Sequence, residues 1–397
     1  MKAVILAAGE GKRLRPFTKN MPKVMLPIAN KPILEYIVDA LSESNIRDIV
    51  MVVGYKKESI MDYFESGKEF GVNIEYIIQE KQIGTGHALM QAERCINDQF
   101  LVLPGDNVIN GKSLSALINN RCKTAILIEE SSSPSKYGVV KVEEEIIKGI
   151  IEKPEKTGTN LVSTGVYKFQ PIIFDIIKEG MKYGKNQITD PLQSMIEKGE
   201  KICAVKGSGE WRDVIYPWNL LDVNAKALQN ILPATSGKIE KSVVVKGKVV
   251  IGEGTTIHSG CYITGPVVIG KGCEIGPNVC IFPSTSIGNN VAIYPFSEIR
   301  YSVVMDGATV GSYSSVSHSV IGKGTKILSH FSNMVGKSVV EVEGEFHEIY
   351  DIGSFIGDDC EIGGNVVVEP GKIIGENCKI NSLKVIDRDI PGGSKVM

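Results

Sequence analysis

A hexapeptide repeat fills the second half of the chain and limits the folds that this half can adopt. Aliphatic side chains recur there at six-residue intervals, with one five-residue step, and glycine commonly follows them. The positions are Val245, Ile251, Ile257, Ile263, Ile269, Ile275, Ile281, Ile287, Ile293, Ile299, Val304, Val310 and Val316, then Ile356, Ile362, Val368, Ile374, Ile380 and Ile386. This period is typical of a parallel β-helix, in which each coil stacks its aliphatic residues on the next. We therefore predict a C-terminal left-handed parallel β-helix, with an excursion loop over residues 323–351, where the period breaks.

The first half follows another pattern, in which short apolar segments alternate with amphipathic ones. The predicted strands are Lys2–Leu6, Ile49–Val53, Ile74–Ile78, Phe100–Leu103 and Thr124–Ile128, and the predicted helices are Pro32–Ser42, Lys57–Phe64 and His87–Cys95. This alternation indicates an α/β domain with a mainly parallel sheet covered on both faces. Ligands of such sheets bind at the carboxyl ends of the strands, where Gly9, Gln79 and Asp106 fall. A chain of 397 residues is longer than a single hydrophobic core usually organises, so we predict two domains, 1–230 and 231–397.

Composition excludes several classes of function. A net charge of −2 gives no electrostatic reason to expect a nucleic-acid partner, and no apolar stretch is long enough to span a membrane. The eight cysteines show no zinc-ligand spacing. The apolar run at the N-terminus is too short for a secretory signal, so we expect a cytoplasmic protein with reduced thiols.

The loop after the first strand points to a polyphosphate ligand. Gly9 and Gly11 leave backbone N–H groups accessible, and four cations lie in or near the loop: Lys12, Arg13, Arg15 and Lys23. A dinucleotide-binding fingerprint would need a third glycine where Leu14 stands, and a Walker P-loop would need Ser or Thr directly after Lys12. The pattern therefore favours a nucleoside triphosphate bound by a different kind of loop.

Three motifs together resemble the sugar-1-phosphate nucleotidylyltransferases. They are Leu6-Ala-Ala-Gly-Glu-Gly-Lys-Arg13 with Pro22-Lys23, Gly84-Thr-Gly-His-Ala88 and Gly105-Asp106. With the hexapeptide half, the chain is similar to the bifunctional N-acetylglucosamine-1-phosphate uridyltransferase/glucosamine-1-phosphate acetyltransferases, particularly the archaeal ones. The resemblance implies a Rossmann-like, nucleotide-diphospho-sugar transferase domain. It also implies the reaction: a sugar-1-phosphate oxygen attacks the α-phosphorus of a nucleoside triphosphate and releases pyrophosphate.

The resemblance also implies roles for particular residues. Arg13, Lys23 and Asp106 match the family's catalytic positions, and Asp106 with Asp213 matches its Mg²⁺ carboxylates, with Glu210 as the alternative to Asp213. The implied nucleotide-binding residues are Leu6, Ala8, Gly9, Gln79, Gly84 and Thr85. A glutamine amide can donate to and accept from the edge of uracil or thymine, so UTP and dTTP both stay open.

The implied sugar-binding residues are Gly138, Glu152, Lys153 and Thr164. Glu152 would accept hydrogen bonds from the sugar, and Lys153 would pair with its 1-phosphate. Ser163 stands where the uridyltransferases usually have asparagine. The sequence therefore leaves N-acetylglucosamine-1-phosphate and glucose-1-phosphate as alternative substrates.

A second activity in the β-helix is an open alternative. Acetyltransferases of this build use a histidine base, but Ser312 and Ser315 stand at the family's base and tyrosine positions, which leaves His318 or His330 as substitutes. The excursion loop carries Glu341, Glu343, Glu345 and Glu348, which would repel coenzyme A. Acetyl-CoA is thus expected only if this activity exists.

The plainer prediction for the second half is a β-helix that assembles a homo-oligomer, a trimer or a multiple of it. The remaining alternative for the whole chain is a catalytically silent, sugar-nucleotide-binding regulatory subunit.

Overall fold

The computed structural model describes residues 1–397 and contains two compact units. The first comprises residues 1–10 and 33–213, and the second comprises residues 11–32 and 214–397. No helix is both long and apolar enough to cross a lipid bilayer.

The first unit is a mixed sheet with helices on its faces. Its strands are β1 (Lys2–Ala7), β2 (Asp48–Val53), β3 (Asn73–Ile78), β4 (Phe100–Pro104), β5 (Asn107–Val108), β6 (Thr124–Glu130), β7 (Gly138–Glu143), β8 (Ile146–Glu152), β9 (Leu161–Phe169), β10 (Ile202–Lys206) and β11 (Arg212–Asp213). Its helices are α1 (Ile33–Glu43), α2 (Lys57–Phe64), α3 (Thr85–Gln91), α4 (Gly111–Asn119), α5 (Ile173–Met181) and α6 (Thr189–Glu197), with 3-10 turns at Lys68–Phe70, Glu93–Cys95 and Pro134–Lys136. Nine strands form the main sheet in the order β3-β2-β1-β4-β9-β6-β10-β8-β7, and β5 pairs with β11 separately.

The parallel half of this sheet follows the prediction closely. Strands β3, β2, β1 and β4 are neighbours and run parallel, in the order of a mononucleotide-binding half. Residues 49–53 and 100–103 are buried, because helices cover both faces of a parallel sheet. The five predicted strands and three predicted helices all form, with ends that match or shift by up to four residues.

The other half of the sheet departs from a parallel arrangement. Strand β9 runs antiparallel to both β4 and β6, and β8 runs antiparallel to β7 and β10. A register shift between Ser163 and Tyr167 marks a bulge in β9. The sequence did not predict β7 to β10, since their apolar residues alternate only over short stretches.

The second unit is the predicted β-helix, built from three parallel sheets. The first holds Ala234–Thr235, Val249–Ile251, Val267–Ile269, Thr285–Ile287, Val303–Val304, Val320–Ile321, Phe355–Ile356 and Ile373–Ile374. The second holds Lys238–Ile239, Thr256–Ile257, Glu274–Ile275, Ala292–Ile293, Thr309–Val310, Lys326–Ile327, Glu361–Ile362, Lys379–Ile380 and Lys395–Val396. The third holds Val244–Lys246, Tyr262–Thr264, Cys280–Ile281, Glu298–Arg300, Ser315–Ser317, Ser332–Asn333, Val367–Val368 and Val385–Ile386. The predicted fold class, an α/β nucleotide-binding domain followed by a left-handed parallel β-helix, is confirmed.

The hexapeptide residues pack as the repeat predicts. Ile257, Ile275 and Ile293 are register partners on successive coils and are 0–1% exposed. Small residues four positions after an aliphatic one also point inward: the Thr255 hydroxyl donates to the Gly270 carbonyl at 2.6 Å, and the Cys273 thiol donates to Gly288 at 3.0 Å. These hydrogen bonds give partners to backbone carbonyl groups that are buried in the apolar core at the corners of the coils.

The excursion from the β-helix is shorter than predicted. The strands Lys326–Ile327 and Ser332–Asn333 continue the coils, and the chain leaves them only as a hairpin, Gly336–Val342 and Glu345–Ile352. Asn333 occupies a position where an aliphatic residue was expected, and its amide bonds both the N–H and the carbonyl of Ser317 at 2.8 and 2.7 Å. A polar residue thus completes this coil, and the period seemed to break too early because a second five-residue step, from Val316 to Ile321, was not followed on to Ile327.

Residues 11–32 and 214–230 belong to the second unit. They contain 3-10 turns at Lys12–Leu14 and Lys23–Met25, the short strands Pro27–Ile28 and Lys31–Pro32, and helix α7 (Asn219–Gln229). The buried amide of Asn224 accepts from the Ala29 N–H at 2.8 Å and from the Ser286 hydroxyl at 2.6 Å. Helix α7 therefore holds both the N-terminal loop and a β-helix coil.

One sequence prediction about the cysteines is wrong. Cys122, before β6, and Cys203, on β10, form a disulfide with Cα atoms 6.1 Å apart. The two residues meet because β10 runs beside β6, with Cys203 opposite Ala125. The other cysteines are thiols, four of them buried in the β-helix.

Candidate active site

The carboxyl ends of the parallel strands converge at one edge of the first unit. A β-carbon on Gly54, after β2, would lie 2.9 Å from the carbonyl oxygens of both Ala8 and Gln79, so only glycine lets these three backbones meet. The Gly105 N–H donates to the Leu6 carbonyl at 2.9 Å, which holds the Pro104–Asp106 turn beside β1. Leu6, Ala8, Gln79 and Asp106 are therefore brought to the same edge, as predicted for a ligand site in such a sheet.

Gln79 is buried at this edge and fixed by a neighbour. It is 3% exposed, and its Nε2 lies 2.8 Å from Nδ1 of His87, on α3. On the far side of the ring, Nε2 of Gln91 lies 3.3 Å from Nε2 of His87. With the Gln79 NH₂ directed at the imidazole, the amide oxygen is the group left to accept a hydrogen bond from a ligand.

Gly84 and Thr85 are held by the segment before α6. β-Carbons on Gly84 and Gly86 would lie 2.5 and 2.8 Å from the Asn186 carbonyl, so the two glycines allow a close backbone approach. The Thr85 hydroxyl lies 3.1 Å from Oε1 of Gln187 and accepts the Ile188 N–H at 3.0 Å. These contacts fix the start of α3, and with it the position of His87.

A short ladder pairs the segments that carry the two predicted metal carboxylates. Strand β11 pairs antiparallel with β5, and Asp213 lies opposite Asn107, the residue after Asp106. The Asn107 amide is buried and donates to the Thr164 carbonyl at 2.8 Å, which ties this ladder to β9. Residues that are more than a hundred positions apart in the chain thus lie on paired strands, with Asp213 opposite the residue after Asp106.

Glu210, the alternative metal residue, is directed elsewhere. Its carboxylate accepts from the Asn110 amide at the start of α4. Glu129 anchors the loop before Asp213, because its buried carboxylate accepts the Gly209 N–H at 2.8 Å. Trp211 packs edge-on against Tyr137 with ring centroids 5.1 Å apart, so the loop is anchored on both sides of Glu210.

Three of the predicted sugar residues lie where β7 begins and β8 ends: Gly138, Glu152 and Lys153. Glu152 is the register partner of Gly138, and the Lys153 N–H donates to the Tyr137 carbonyl at 3.0 Å. A β-carbon on Gly138 would lie 3.4 Å from Oε2 of Glu152. The Lys153 ammonium lies 3.9 Å from the Glu152 carboxylate, and both side chains are partly exposed. A ligand phosphate can therefore displace the carboxylate from the ammonium.

A cavity of about 820 Å³ opens beside Glu152. Its lining includes Lys141, Lys156 and Lys185 together with Thr189 and Asp190 at the start of α6. Much of the remaining lining is apolar and includes Val139, Ile150 and Ile151.

The bulge in β9 turns Ser163 and Thr164 inward. The Thr164 hydroxyl donates to the Leu127 carbonyl at 2.9 Å, and the Ser163 hydroxyl lies 3.1 Å from Oη of Tyr167. Gly165 has a positive φ of 79°, and a β-carbon on it would lie 3.1 Å from Cγ of Pro104, so the glycine allows a close approach to that ring. The bulge therefore sits over the turn that carries Asp106, and the hydroxyls shape it.

Arg13 and Lys23 lie in the second unit. Gly11 has a φ of 73°, and a β-carbon there would be 2.6 Å from Cβ of Lys23, so the glycine lets the lysine approach the loop. The Thr18 hydroxyl donates to the Gly11 carbonyl at 2.8 Å and closes the loop. The Arg13 Nε lies 3.2 Å from a carboxylate oxygen of Glu343, on the β-helix hairpin.

Comparison with known proteins decides the family. The nucleotidyl transferase family profile matches residues 2–230, and the profile of the GMPPB C-terminal domain matches residues 263–348. The chain belongs to the nucleotidyl transferase family. It is 38% identical over 408 residues to a bifunctional protein GlmU from Methanococcus maripaludis strain C7, covering 100% of this chain and 97% of the relative.

Two further comparisons support the family assignment. A bifunctional sugar-1-phosphate nucleotidylyltransferase/acetyltransferase from Sulfurisphaera tokodaii is 35% identical, over 99% of each protein. A solved structure of UDP-glucose pyrophosphorylase complexed with UDP-glucose superposes with a TM-score of 0.51 at 30% identity, covering 58% of this chain and 99% of that one. The predicted enzyme class, a sugar-1-phosphate nucleotidylyltransferase, is confirmed.

The two histidines considered for a second activity sit at β-helix corners. His318 stacks on Tyr301 with ring centroids 4.8 Å apart, and His330 stacks on Tyr313 at 5.2 Å. Both have positive φ values, 50° and 61°. Burial lowers the pKa of His318, and its Nδ1 lies 2.9 Å from the Ser317 hydroxyl. These contacts give both rings a role in packing adjacent coils.

Sequence reasoning did not assign roles to His87, Gln187 and Glu129. His87 was part of the Gly84–Ala88 motif, so the motif itself carried the signal. Gln187 and Glu129 have no local pattern, and their contacts depend on pairings distant in the chain. Only the folded structure shows that they position Thr85 and the loop before Asp213.

Proposed function

We propose that this nucleotidyltransferase moves a uridylyl or thymidylyl group from UTP or dTTP to a sugar-1-phosphate, N-acetylglucosamine-1-phosphate or glucose-1-phosphate, and releases pyrophosphate. The observation that carries the proposal is the β5–β11 ladder, which sets Asp213 opposite the residue after Asp106. The same edge of the sheet carries Gln79. A carboxylate pair beside a base-recognising amide is what the reaction needs.

Asp106 and Asp213 fit a magnesium ion. Both are hard oxygen donors, and Mg²⁺ is usually held by one or two carboxylates with waters and substrate phosphates completing its shell. When bound, the ion would neutralise charge on the phosphates.

Arg13 and Lys23 are assigned to the triphosphate and the departing pyrophosphate. The sugar-1-phosphate oxygen is already largely ionised at neutral pH, so the enzyme needs no general base to activate it. The barrier is then lowered by positioning the two substrates and by offsetting negative charge in the transition state. The roles of the two cations are electrostatic.

The base is selected by Gln79. Because His87 holds the NH₂ group, the amide oxygen can accept the N3–H of uracil or thymine. The similarity to a structure that holds UDP-glucose supports a pyrimidine nucleotide. Glu152 would accept hydrogen bonds from the sugar hydroxyl or amide groups, and Lys153 would exchange Glu152 for the 1-phosphate.

The test is a pyrophosphate-release screen of the full-length protein. Four nucleoside triphosphates would be combined with a panel of sugar-1-phosphates, with and without Mg²⁺. We expect release only with UTP or dTTP, and only with glucose-type sugar-1-phosphates. Release with purine triphosphates alone would refute the role of Gln79.

Acetyl transfer is a second candidate, supported by the bifunctional names of full-length relatives. His318, whose pKa is lowered by burial, is the residue that we assign as its base, with His330 as the alternative. Thiol release from acetyl-CoA in the presence of glucosamine-1-phosphate tests this activity. His318→Gln should abolish any thiol release that is observed.

A further inference from the structure

We propose that Glu343, on the hairpin of the β-helix, competes with the triphosphate for Arg13 and so weakens nucleotide binding. The proposal rests on the assignment of Arg13 to the triphosphate. It concerns the acidic segment that the sequence singled out and that the proposed reaction does not use.

The hairpin presents Glu343 at a tight turn. Its strands, Gly336–Val342 and Glu345–Ile352, are joined by two residues, Glu343 and Gly344, with φ values of 51° and 81°. Two consecutive positive φ values are typical of the type I′ turn that closes two-residue hairpins. The carboxylate is therefore carried on a defined turn.

Aromatic contacts hold the hairpin in place. The His347 ring lies 4.4 Å from the ring of Tyr216 and 5.4 Å from that of Trp218, measured between centroids. The Tyr216 hydroxyl donates to the Glu345 carboxylate at 3.2 Å. Val340, opposite His347 in the hairpin, is 2% exposed. The hairpin is thus packed against Tyr216 and Trp218, and its tip has a defined position within the second unit.

The contact itself is an ion pair that a ligand can break. Nε of Arg13 lies 3.2 Å from Oε2 of Glu343, and the two side chains are 39% and 47% exposed. Pairs with such exposure contribute about 0–1 kcal/mol, because water screens them. A triphosphate carries several negative charges and can displace one carboxylate from a guanidinium.

Neutralising Glu343 should therefore tighten nucleotide binding. For Glu343→Gln, the Kd for UTP with Mg²⁺, measured by titration calorimetry without sugar-1-phosphate, should fall by about two- to fivefold, the range that an exposed ion pair supplies. The effect should shrink as salt is added, because salt screens the pair. Glu341→Gln is the matched control, since it makes the same charge change on the same hairpin at another exposed position.

Three outcomes would overturn the proposal. An unchanged Kd, a weaker Kd, or an equal gain in Glu341→Gln would each show that the Arg13 contact does not compete with the nucleotide. Arg13→Gln separates this result from the proposed function. If Arg13→Gln weakens UTP binding and Glu343→Gln then adds nothing in that background, both stand. If Arg13→Gln weakens binding but Glu343→Gln has no effect in the wild type, only the competition fails. If Arg13→Gln changes neither binding nor pyrophosphate release, the role assigned to Arg13 fails as well.

Discussion

The NH₂ group of Gln79 is hydrogen-bonded to His87, so the oxygen of the same amide is the atom that can bind a ligand. An amide that rotated freely could match several base edges, whereas one held by an imidazole presents its oxygen. Replacing His87 with alanine should raise the KM for UTP by about three- to tenfold, the value of one lost hydrogen bond, with a smaller change in kcat. Steady-state pyrophosphate release measures both.

The control for this change is Gln91→Ala, which removes the contact on the far side of the His87 ring. It should leave the KM near that of the wild type. A wild-type KM in His87→Ala would show that the ring does not orient Gln79.

The site residues differ in how well the sequence predicted them. Gly84 and Asp106 belong to short motifs, and the strand pattern places Gln79 and Asp106 at the carboxyl ends of parallel strands, on one edge of the sheet. Asp213 was inferred only from a resemblance, since its pairing with Asn107 depends on a ladder between distant segments. The buried supports, such as Glu129, could not be predicted because a lone glutamate on a strand has no distinguishing pattern.

Within the β-helix, the inward-facing Thr255 tests how the coils are joined. Its hydroxyl donates to Gly270 at 2.6 Å and accepts the Cys273 N–H at 3.0 Å. Thr255→Val should lower the free energy of unfolding by about 1–3 kcal/mol, because it leaves both backbone groups buried without partners. Thr255→Cys should cost less, since cysteine makes the same contact at Cys273 and Cys360. Equal stability of the two variants in chemical denaturation would contradict this account.

His258 links two other coils through a charge network. Its ring lies between Glu240, 3.2 Å from Nδ1, and Glu274. The hydrogen bond with Glu274, then that with Glu240, raises the pKa of His258 above its usual value. A raised pKa means that this stabilisation is complete below about pH 6.5 and is lost as the pH rises through the folded-state pKa.

The stability difference between wild type and His258→Gln should therefore be larger near about pH 6 than near about pH 9. Thermal unfolding of both proteins at the two pH values measures it. A difference that grows with pH would mean that the folded-state pKa is lowered instead.

The β-helix also shows where the sequence pattern stops being informative. Stacked aliphatic residues are local to each coil, so the period revealed the strands directly. The boundary of the excursion depended on Asn333, whose amide takes the place of an aliphatic residue by bonding Ser317. Such a substitution can be recognised only when the partner coil is known.

At the scale of the whole molecule, assembly into a homo-oligomer through the β-helix stays a prediction. Phe296 and Tyr313 stack at 4.9 Å on one corner of the coils while 51% and 57% exposed. Exposed apolar residues that lie together often mark an interface. Tyr313→Glu should therefore shift sedimentation velocity toward the monomer, whereas Tyr183→Glu, at a 75% exposed site in the first unit, should not. An unchanged profile for Tyr313→Glu would exclude this corner.

The division of the chain at residue 230 is likewise still a prediction. The second unit takes in residues 11–32 and 214–230 as well as the β-helix. The amide of Asn20 lies 3.3 Å from the Asp358 carboxylate, and Lys19 lies 3.9 Å from Glu376. The N-terminal loop therefore contacts residues of the β-helix.

The central claim is that Asp106 and Asp213 form the magnesium site for nucleotidyl transfer. Pyrophosphate release should be measured for the wild type, Asp213→Asn and Glu210→Gln as Mg²⁺ is titrated, with UTP and N-acetylglucosamine-1-phosphate or glucose-1-phosphate. Asp213→Asn should lose about 100-fold or more of the rate, because it removes charge stabilisation at the reacting phosphates, and its half-saturating Mg²⁺ concentration should rise. Glu210→Gln, on the same loop but bonded to Asn110, should keep a wild-type Mg²⁺ dependence. A wild-type rate and Mg²⁺ dependence in Asp213→Asn would contradict the account.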